Sequence, residues 1–119
     1  MVTAEYFGHH IVILEPNGRL TAETVHEFKQ AASKWLHDGS RDLILDLQHV
    51  NYLDSAGLGA LALAYASRRR RGGRLAFVHV SGKNRELLRI TKLLNVFEVY
   101  ETTMEAERSF ARRSEATLM

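Results

Sequence analysis

The feature that most constrains this chain is the alternation of short apolar runs with stretches of helical period. The runs at residues 43–47 and 75–80 have strand length and few polar positions, which is typical of strands buried on both faces of a sheet. Between them, apolar side chains recur at helical spacing, at Leu58, Leu61, Ala62 and Tyr65. A strand, a helix and a second strand joined by short loops predict a βαβ unit with parallel strands.

The remaining segments extend this unit in both directions. Two β-like runs at residues 2–7 and 11–14 flank Gly8 to His10, and they predict an antiparallel hairpin followed by a turn at residues 15–18. Further elements are predicted as helices at about 21–39, 55–71, 84–94 and 103–113 and a last strand at 96–100. The chain is therefore expected to have an α/β fold, with a mixed, mostly parallel sheet of four to five strands, an N-terminal antiparallel hairpin and about four helices.

For two of these helices the sequence also predicts which residues face the core, and for the first it predicts the caps. In the first, Thr21 is the expected N-cap, Thr24 stands where a capping box has Glu or Gln, and Gly39 is the expected C-terminal glycine. Its inward stripe, with Trp35 as a core residue, is Val25, Phe28, Ala32, Trp35 and Leu36. In the helix predicted at 84–94, the residues expected to face the core are Leu87, Leu88, Ile90 and Leu94.

Composition limits the class of protein. With 119 residues, 45% hydrophobic and 25% charged, the chain fits one domain over residues 1–119, with a frayed tail at 114–119. The absence of cysteine excludes disulfides and thiolate metal sites. The sequence opens without a basic segment before an apolar run, and the apolar run at 58–66 is far shorter than the ~20 residues of a spanning helix. We therefore expect a cytoplasmic protein without membrane insertion.

The arginines at residues 68–71, followed by Arg74, are the main concentration of positive charge in a chain of net charge +2. Consecutive helical residues point about 100° apart, so four in a row do not form one stripe. At the last turn of a helix they complement its dipole. This pattern favours a solvated helix end over direct nucleic-acid binding, and an anionic partner surface stays open as the alternative.

The sequence carries no catalytic or metal-binding motif that we recognise. Its histidines lack the spacing of a metal site: His9, His10, His26, His37, His49 and His79. Ser55 is not set in a G-x-S-x-G elbow, and no Walker-type phosphate loop is present. We therefore expect no metal, no cofactor and no enzymatic activity.

One segment combines a hydroxyl with unusually small residues. The loop at 48–54 follows the strand at 43–47, and partners collect at the carboxyl ends of parallel strands. Ser55 then stands at the expected N-cap of the second helix, and the positions expected to be exposed after it are Ala56, Gly57, Gly59 and Ala60. Each glycine in a helix costs about 1 kcal/mol relative to alanine, so folding alone would not favour these residues. Small residues let another surface approach closely, and the segment is therefore predicted to be a docking surface. A simple cap with glycines that serve packing is the alternative interpretation.

A phosphate on Ser55 would change the charge of such a surface. A phosphate adds about −1.5 to −2 charges, which the positive end of a helix dipole accommodates. Asp54 opposes it by repulsion, and a partner packed on Ala56 and Gly57 would clash with it or have to desolvate it. A loss of only about 2.7 kcal/mol already lowers affinity 100-fold.

These residues closely resemble the STAS domain family of sulfate transporters and anti-sigma factor antagonists. The resemblance is carried by residues 43–47, 50–59 and 71–75, by the early turn at 18–20 and by the late segment 93–100. It covers about residues 6–110, and the Asp-Ser-x-Gly-Leu-Gly sequence at 54–59 is fairly specific in that context.

The resemblance implies a bacterial anti-sigma factor antagonist. In its unphosphorylated form it would bind an anti-sigma factor that is also a serine kinase and so free a sigma factor. Phosphorylation of Ser55 would release the antagonist from the kinase, and a serine phosphatase would restore the binding form.

Many members have an acidic residue where this chain has Thr21, and Glu23 is the candidate replacement. The implied partner-binding residues are Asp54, Ala56, Gly57, Leu58, Gly59, Thr21 and Glu23. A non-switching STAS subunit of a stress-signalling scaffold or of a lipid or anion transport complex is the alternative.

Overall fold

A computed structural model describes residues 2–7, 10–37 and 41–118 of the chain. The elements follow the order β1 (Val2–Phe7), β2 (Ile11–Pro16), β3 (Gly18–Leu20), α1 (Val25–His37), β4 (Asp42–Asp46), β5 (Val50–Leu53), α2 (Ser55–Arg70), β6 (Leu75–Val78), α3 (Gly82–Ile90), a 3-10 turn (Leu93–Asn95), β7 (Glu98–Tyr100) and α4 (Thr103–Leu118).

The main sheet has five strands in the order β1-β2-β4-β6-β7. β1 pairs antiparallel with β2, and every other neighbouring pair is parallel. The predicted fold class is therefore confirmed, including the N-terminal hairpin and the four helices. Gly8 and His9 of the predicted hairpin connection, and Gly39 at the predicted end of α1, lie outside the described residues.

The central strands alternate between two cores, which explains their continuous apolar runs. In β4, Leu43 and Leu45 belong to the larger core with buried side chains of α1, α2 and α3, whereas Ile44 belongs to the smaller core with Ala106 and Phe110 of α4. β6 alternates in the same way. The sheet therefore lies between α1, α2 and α3 on one face and α4 on the other, as expected for strands buried on both faces.

The inward stripes of α1 and α2 lie where the periodicity predicts them, and Trp35 is in the core. The expectation for Ile90 is wrong, because this side chain is 61% exposed. In α3 it is Leu88 that is fully buried, and a residue two positions later points about 200° away around a helix. Leu94 lies beyond α3, in the 3-10 turn.

The start of α1 differs from the prediction that Thr21 is its N-cap. The helix begins at Val25, whose N–H donates to the carbonyl oxygen of Thr21 at 2.8 Å. Thr24 Oγ1 accepts from the N–H of Thr21 at 2.9 Å. This is the hydrogen bond that the Glu or Gln at position N3 makes in a capping box. The Thr21 hydroxyl instead donates to the Glu23 carboxylate at 3.1 Å. A turn held by backbone hydrogen bonds thus precedes the helix and leaves the Thr21 hydroxyl for another partner.

The predicted turn at 15–18 spans the end of β2 and the first residue of β3, and the predicted loop at 48–54 contains β5. β3 and β5 pair in parallel as a separate two-stranded sheet, with Leu20 opposite Leu53. Gly18 adopts φ +94° and its N–H donates to the carbonyl oxygen of His49 at 2.9 Å. Strands of three and four residues are too short to show a period-two pattern, and their pairing joins segments far apart in sequence.

Glycines end α2 close to its predicted limit at residue 71. The N–H groups of Gly72 and Gly73 donate to the carbonyl oxygens of Arg69 and Arg68 at 3.1 and 3.0 Å, and Gly72 has φ +80°. These are the two hydrogen bonds of a Schellman motif, in which glycine takes the left-handed position without strain.

The arginines on either side of this turn are not one solvated group. Arg68 is fully buried and donates to the carbonyl oxygen of Arg41. Arg74 pairs with Glu98 at 2.6 Å and lies 4.4 Å from the Phe110 ring. The expected solvated helix end is therefore wrong for Arg68, since its guanidinium is part of the protein interior.

α4 continues to Leu118, beyond the predicted end at residue 113. Its cap is Thr102, whose Oγ1 accepts from the N–H of Glu105 at 3.2 Å. Within the described ranges no helix is long and apolar enough to cross a membrane.

Candidate functional site

Asp54 joins the start of α2 to the turn before α1. Its Oδ1 accepts from the N–H of Gly57 at 2.9 Å, and its Oδ2 accepts from the N–H of Ala22 at 3.0 Å. The Asp54 N–H donates to the carbonyl oxygen of Leu20 at 3.4 Å. The prediction that Ser55 is the N-cap is therefore wrong, because a carboxylate with two oxygens serves both donors and Ser55 becomes the first residue of α2.

The same two donors stabilise the charge of Asp54. The N–H of Gly57, followed by that of Ala22, holds the pKa of the Asp54 carboxyl below its usual value. The group is therefore ionised at neutral pH, at the positive end of the α2 dipole. A fixed negative charge lies directly before Ser55.

The Ser55 side chain is exposed on the surface. Because Asp54 supplies the capping oxygen, the helix does not need the serine hydroxyl to begin. This separates the two roles that a serine at a helix start would otherwise combine. The hydroxyl is left on an ordered, accessible helix start.

The two glycines of this segment differ in environment. Gly57 is buried, and a Cβ there would overlap the backbone carbonyl of Leu20. Gly59 is exposed, with open space where a Cβ would lie. Ala60 is also buried, so the expectation of exposure is wrong for Gly57 and Ala60. Packing against β3 explains Gly57 but not Gly59.

The structure brings the two predicted segments of the docking surface together. The Ala22–Asp54 hydrogen bond places residues 21–23 beside residues 54–59. Within this set Thr21 and Leu58 are buried, at 2% and 9% exposure, and Ala56 is partly buried. Glu23 is exposed and is held by the Thr21 hydroxyl. The accessible members of this surface are therefore Glu23, Ser55 and Gly59, with Ala56 at its edge.

Other residues that shape the site are not among those predicted from the sequence. Buried Asn84 donates through Nδ2 to the carbonyl oxygen of Val50 at 3.0 Å, which fixes β5 ahead of α2. The Arg19 guanidinium lies 5.0 Å from the ring centroid of Tyr52, which is 49% exposed. Ala22 and Leu20 act through backbone atoms, which leave no side-chain signal. The residues Arg19 and Tyr52 are recognisable only once β3 is paired with β5.

The carboxyl edge of the main sheet holds a second polar cluster. Asp46, 5% exposed, accepts through Oδ1 from the N–H of Gln48 at 3.0 Å, and His79 Nδ1 lies 3.0 Å from the same oxygen. Burial, followed by a hydrogen bond with Asp46, raises the pKa of Glu15. No group of three or more His, Asp or Glu side chains in the described part of the chain is placed to hold a metal ion. This cluster supports the loop that leads to β5.

Substitution of the two glycines by alanine should have opposite effects. Gly57→Ala should destabilise the fold by about 1–3 kcal/mol, because its Cβ would push against the backbone of Leu20. Gly59→Ala, the matched control, should stabilise it by up to about 1 kcal/mol, because the position is helical and open. Urea denaturation measures both, and equal effects of the two substitutions would contradict this distinction.

The Glu15 carboxyl should give stability a specific pH dependence. Its raised pKa means that the folded chain holds this proton more tightly than the unfolded chain. The resulting stability is fully present below the ordinary glutamate pKa of about 4.3 and is lost as pH rises through the raised value. The side chain of Glu15→Gln stays neutral at every pH. The free energy of unfolding of this variant should therefore increase relative to that of the wild type as pH rises from about 4 to about 7. Denaturation curves that differ by the same amount at both pH values would refute this, and Glu27→Gln on exposed α1 surface is the control.

Comparison with known proteins agrees with this architecture. The STAS domain model matches residues 4–106. The anti-sigma-B factor antagonist of Staphylococcus aureus is 31% identical over 86 residues, covering 72% of this chain and 80% of the relative. A solved Thermotoga maritima protein, assigned as an anti-sigma factor antagonist, is 29% identical with a TM-score of 0.83, covering 91% of this chain and 92% of its own. The phosphorylated form of the Bacillus cell fate determinant SpoIIAA, 17% identical, shares the fold with a TM-score of 0.70 over 93% of this chain and 99% of its own. The chain belongs to the STAS domain family.

Proposed function

We propose that this chain is an anti-sigma factor antagonist that docks through the start of α2 and is released by phosphorylation of Ser55. The observation that carries the proposal is an exposed serine hydroxyl that the helix does not use, because Asp54 supplies the cap. The family supports the general role, since the Staphylococcus aureus relative is named an anti-sigma-B factor antagonist. The chain would act by binding, as one domain in the cytoplasm, without a cofactor.

The shape of the surface suits close approach by another protein. Gly59 and Ala56 add little relief beside Ser55, and Gly59 has open space around it. A glycine that packing does not require costs helix stability, so its presence is consistent with a partner that needs the room. Exposed Tyr52 and Glu23 lie on the flanking segments, and aromatic side chains of this kind are enriched in interfaces.

The charges around Ser55 indicate how a phosphate would act. The N–H of Gly57 already donates to Asp54. Fewer backbone N–H groups at the helix start are therefore free to donate to a phosphate. Asp54 keeps its own negative charge because its pKa is lowered. A phosphate of about −1.5 to −2 charges would therefore remain largely exposed beside a carboxylate. It would act as a charged obstacle to the partner, with little effect on the fold.

The partner that this model requires is an anti-sigma factor with serine kinase activity, and a serine phosphatase would restore the binding form. Glu23 is the acidic group nearest in sequence to the position that is often acidic in the family. Thr21, although buried, would contribute by holding Glu23 through its hydroxyl. The STAS fold of SpoIIAA has been solved in phosphorylated form, and that precedent motivates the same modification here.

Ser55→Asp should weaken binding to the cognate anti-sigma factor kinase by about 10-fold or more, because it places a charge in the docking surface. Ser55→Ala should bind as tightly as the unmodified chain and should resist release by ATP. Isothermal titration calorimetry measures the affinities, and mass spectrometry after incubation with kinase and ATP locates the phosphate.

Met104→Asp is the matched control, because it adds the same carboxylate at a side chain that is 57% exposed on α4, across the sheet. A phosphate on another residue, or tight binding by Ser55→Asp, would contradict the switch. Tight binding that no change at Ser55 alters would instead favour a non-switching STAS subunit.

A further inference from the structure

A groove between α1 and α2 remains outside the surface described so far. It is open to solvent and has a volume of about 340 Å³, and its walls include Phe28 and Leu36 of α1 and Ala60 and Leu63 of α2. Leu63 is 61% exposed, although it lies on a helix whose buried stripe already includes Leu61. Folding therefore leaves a large apolar side chain in water at the edge of an apolar groove.

The charged residues that line this groove are all basic. Lys29 and Arg70 contribute one positive charge each, His37 lies near them, and the described lining contains no Asp or Glu. By contrast, the neighbouring surface carries two acidic groups, Asp54 directly before α2 and Glu23 in the turn before α1. The groove thus favours an occupant with an apolar face and acidic flanks, because complementary charges steer association and fix its register.

The groove continues the surface that begins at Ser55. Ser55, Gly59 and Leu63 are spaced four residues apart, so they follow one side of α2. Gly59 adds no side chain between them, and Arg70 lines the groove nearer the end of the same helix. A partner seated over Gly59 would therefore reach both the serine and the groove.

Resting on the proposed function, we propose that the α1–α2 groove receives an acidic amphipathic helix of the anti-sigma factor. Its apolar face packs on Leu63, and its carboxylates pair with Lys29 and Arg70. A groove between two helices accepts a third helix through anchors spaced three or four residues apart. The groove supplies affinity and partner choice, and Ser55 supplies the switch.

Affinity measurements on the chain with the cognate anti-sigma factor kinase test this proposal. Leu63→Asp should weaken binding by about 10-fold or more, because it replaces an apolar anchor by a charge that acidic flanks repel. Ile90→Asp is the matched control, since Ile90 is also 61% exposed but lies on α3, and it should leave the affinity within about 2-fold. Circular dichroism verifies that each variant is folded.

A second pair of variants tests the charges. Arg70→Glu should weaken binding, more strongly at low salt, because screening shortens the reach of its repulsion. Arg71→Glu, the adjacent exposed residue outside the groove lining, should have a smaller effect. Equal effects of the two substitutions would overturn the assignment of acidic flanks.

The outcomes separate this proposal from the phosphoswitch. If Ser55→Asp releases the partner but Leu63→Asp and Arg70→Glu leave the affinity unchanged, the groove proposal is overturned and the switch stands. If the groove variants weaken binding and Ser55→Asp does not, the groove is upheld and the switch fails. Sedimentation of the chain alone adds a further check, since self-association that Leu63→Asp abolishes would assign the groove to a second copy and overturn the proposal.

Discussion

The hydrogen bonds of the Asp54 carboxylate hold together the two segments from which the site is built. One oxygen caps α2 through Gly57, and the other binds the backbone of Ala22, 32 residues earlier in the chain. Leu20 completes the junction, because its carbonyl oxygen accepts from the Asp54 N–H and occupies the space that a Cβ at Gly57 would need. β3, the turn before α1 and the start of α2 thus form one unit that depends on a single ionised side chain.

This junction separates the residues that stabilise the fold from those available to a partner. Asp54 and Gly57 are occupied by internal contacts, whereas Ser55 and Gly59 follow them in sequence and remain exposed. Charge at Ser55 can therefore change without loss of a cap or of a packing contact. The same logic extends along α2, where Leu61 builds the core and Leu63 lies in water. One helix thus serves the fold on one side and offers a continuous surface on the other.

Sequence reasoning predicts the features that depend on local pattern. The βαβ unit, the stripe of α1 with Trp35 inward and the glycine stop after α2 all follow from apolar spacing or backbone conformation. The β3–β5 pair, the burial of Arg68 and the close contact of Gly57 with Leu20 do not, because each joins segments distant in sequence. At the site itself, Asp54 and Ser55 are both good N-caps, and the choice depends on the N–H groups of Gly57 and Ala22, which both donate to Asp54. The segment was therefore predictable, but the division of roles within it was not.

In the proposed switch, a phosphate on Ser55 changes the docking surface and leaves the fold intact. The most direct measurement is a pair of ¹H–¹⁵N correlation spectra of the chain, recorded before and after complete phosphorylation by the cognate kinase. If the phosphate changes only the docking surface, chemical-shift changes should be confined to residues around 20–24 and 52–60, and the amide signals of the main sheet should not move. Changes spread through β2, β4 and β6, or a loss of chemical-shift dispersion, would show instead that the phosphate acts by disrupting the fold.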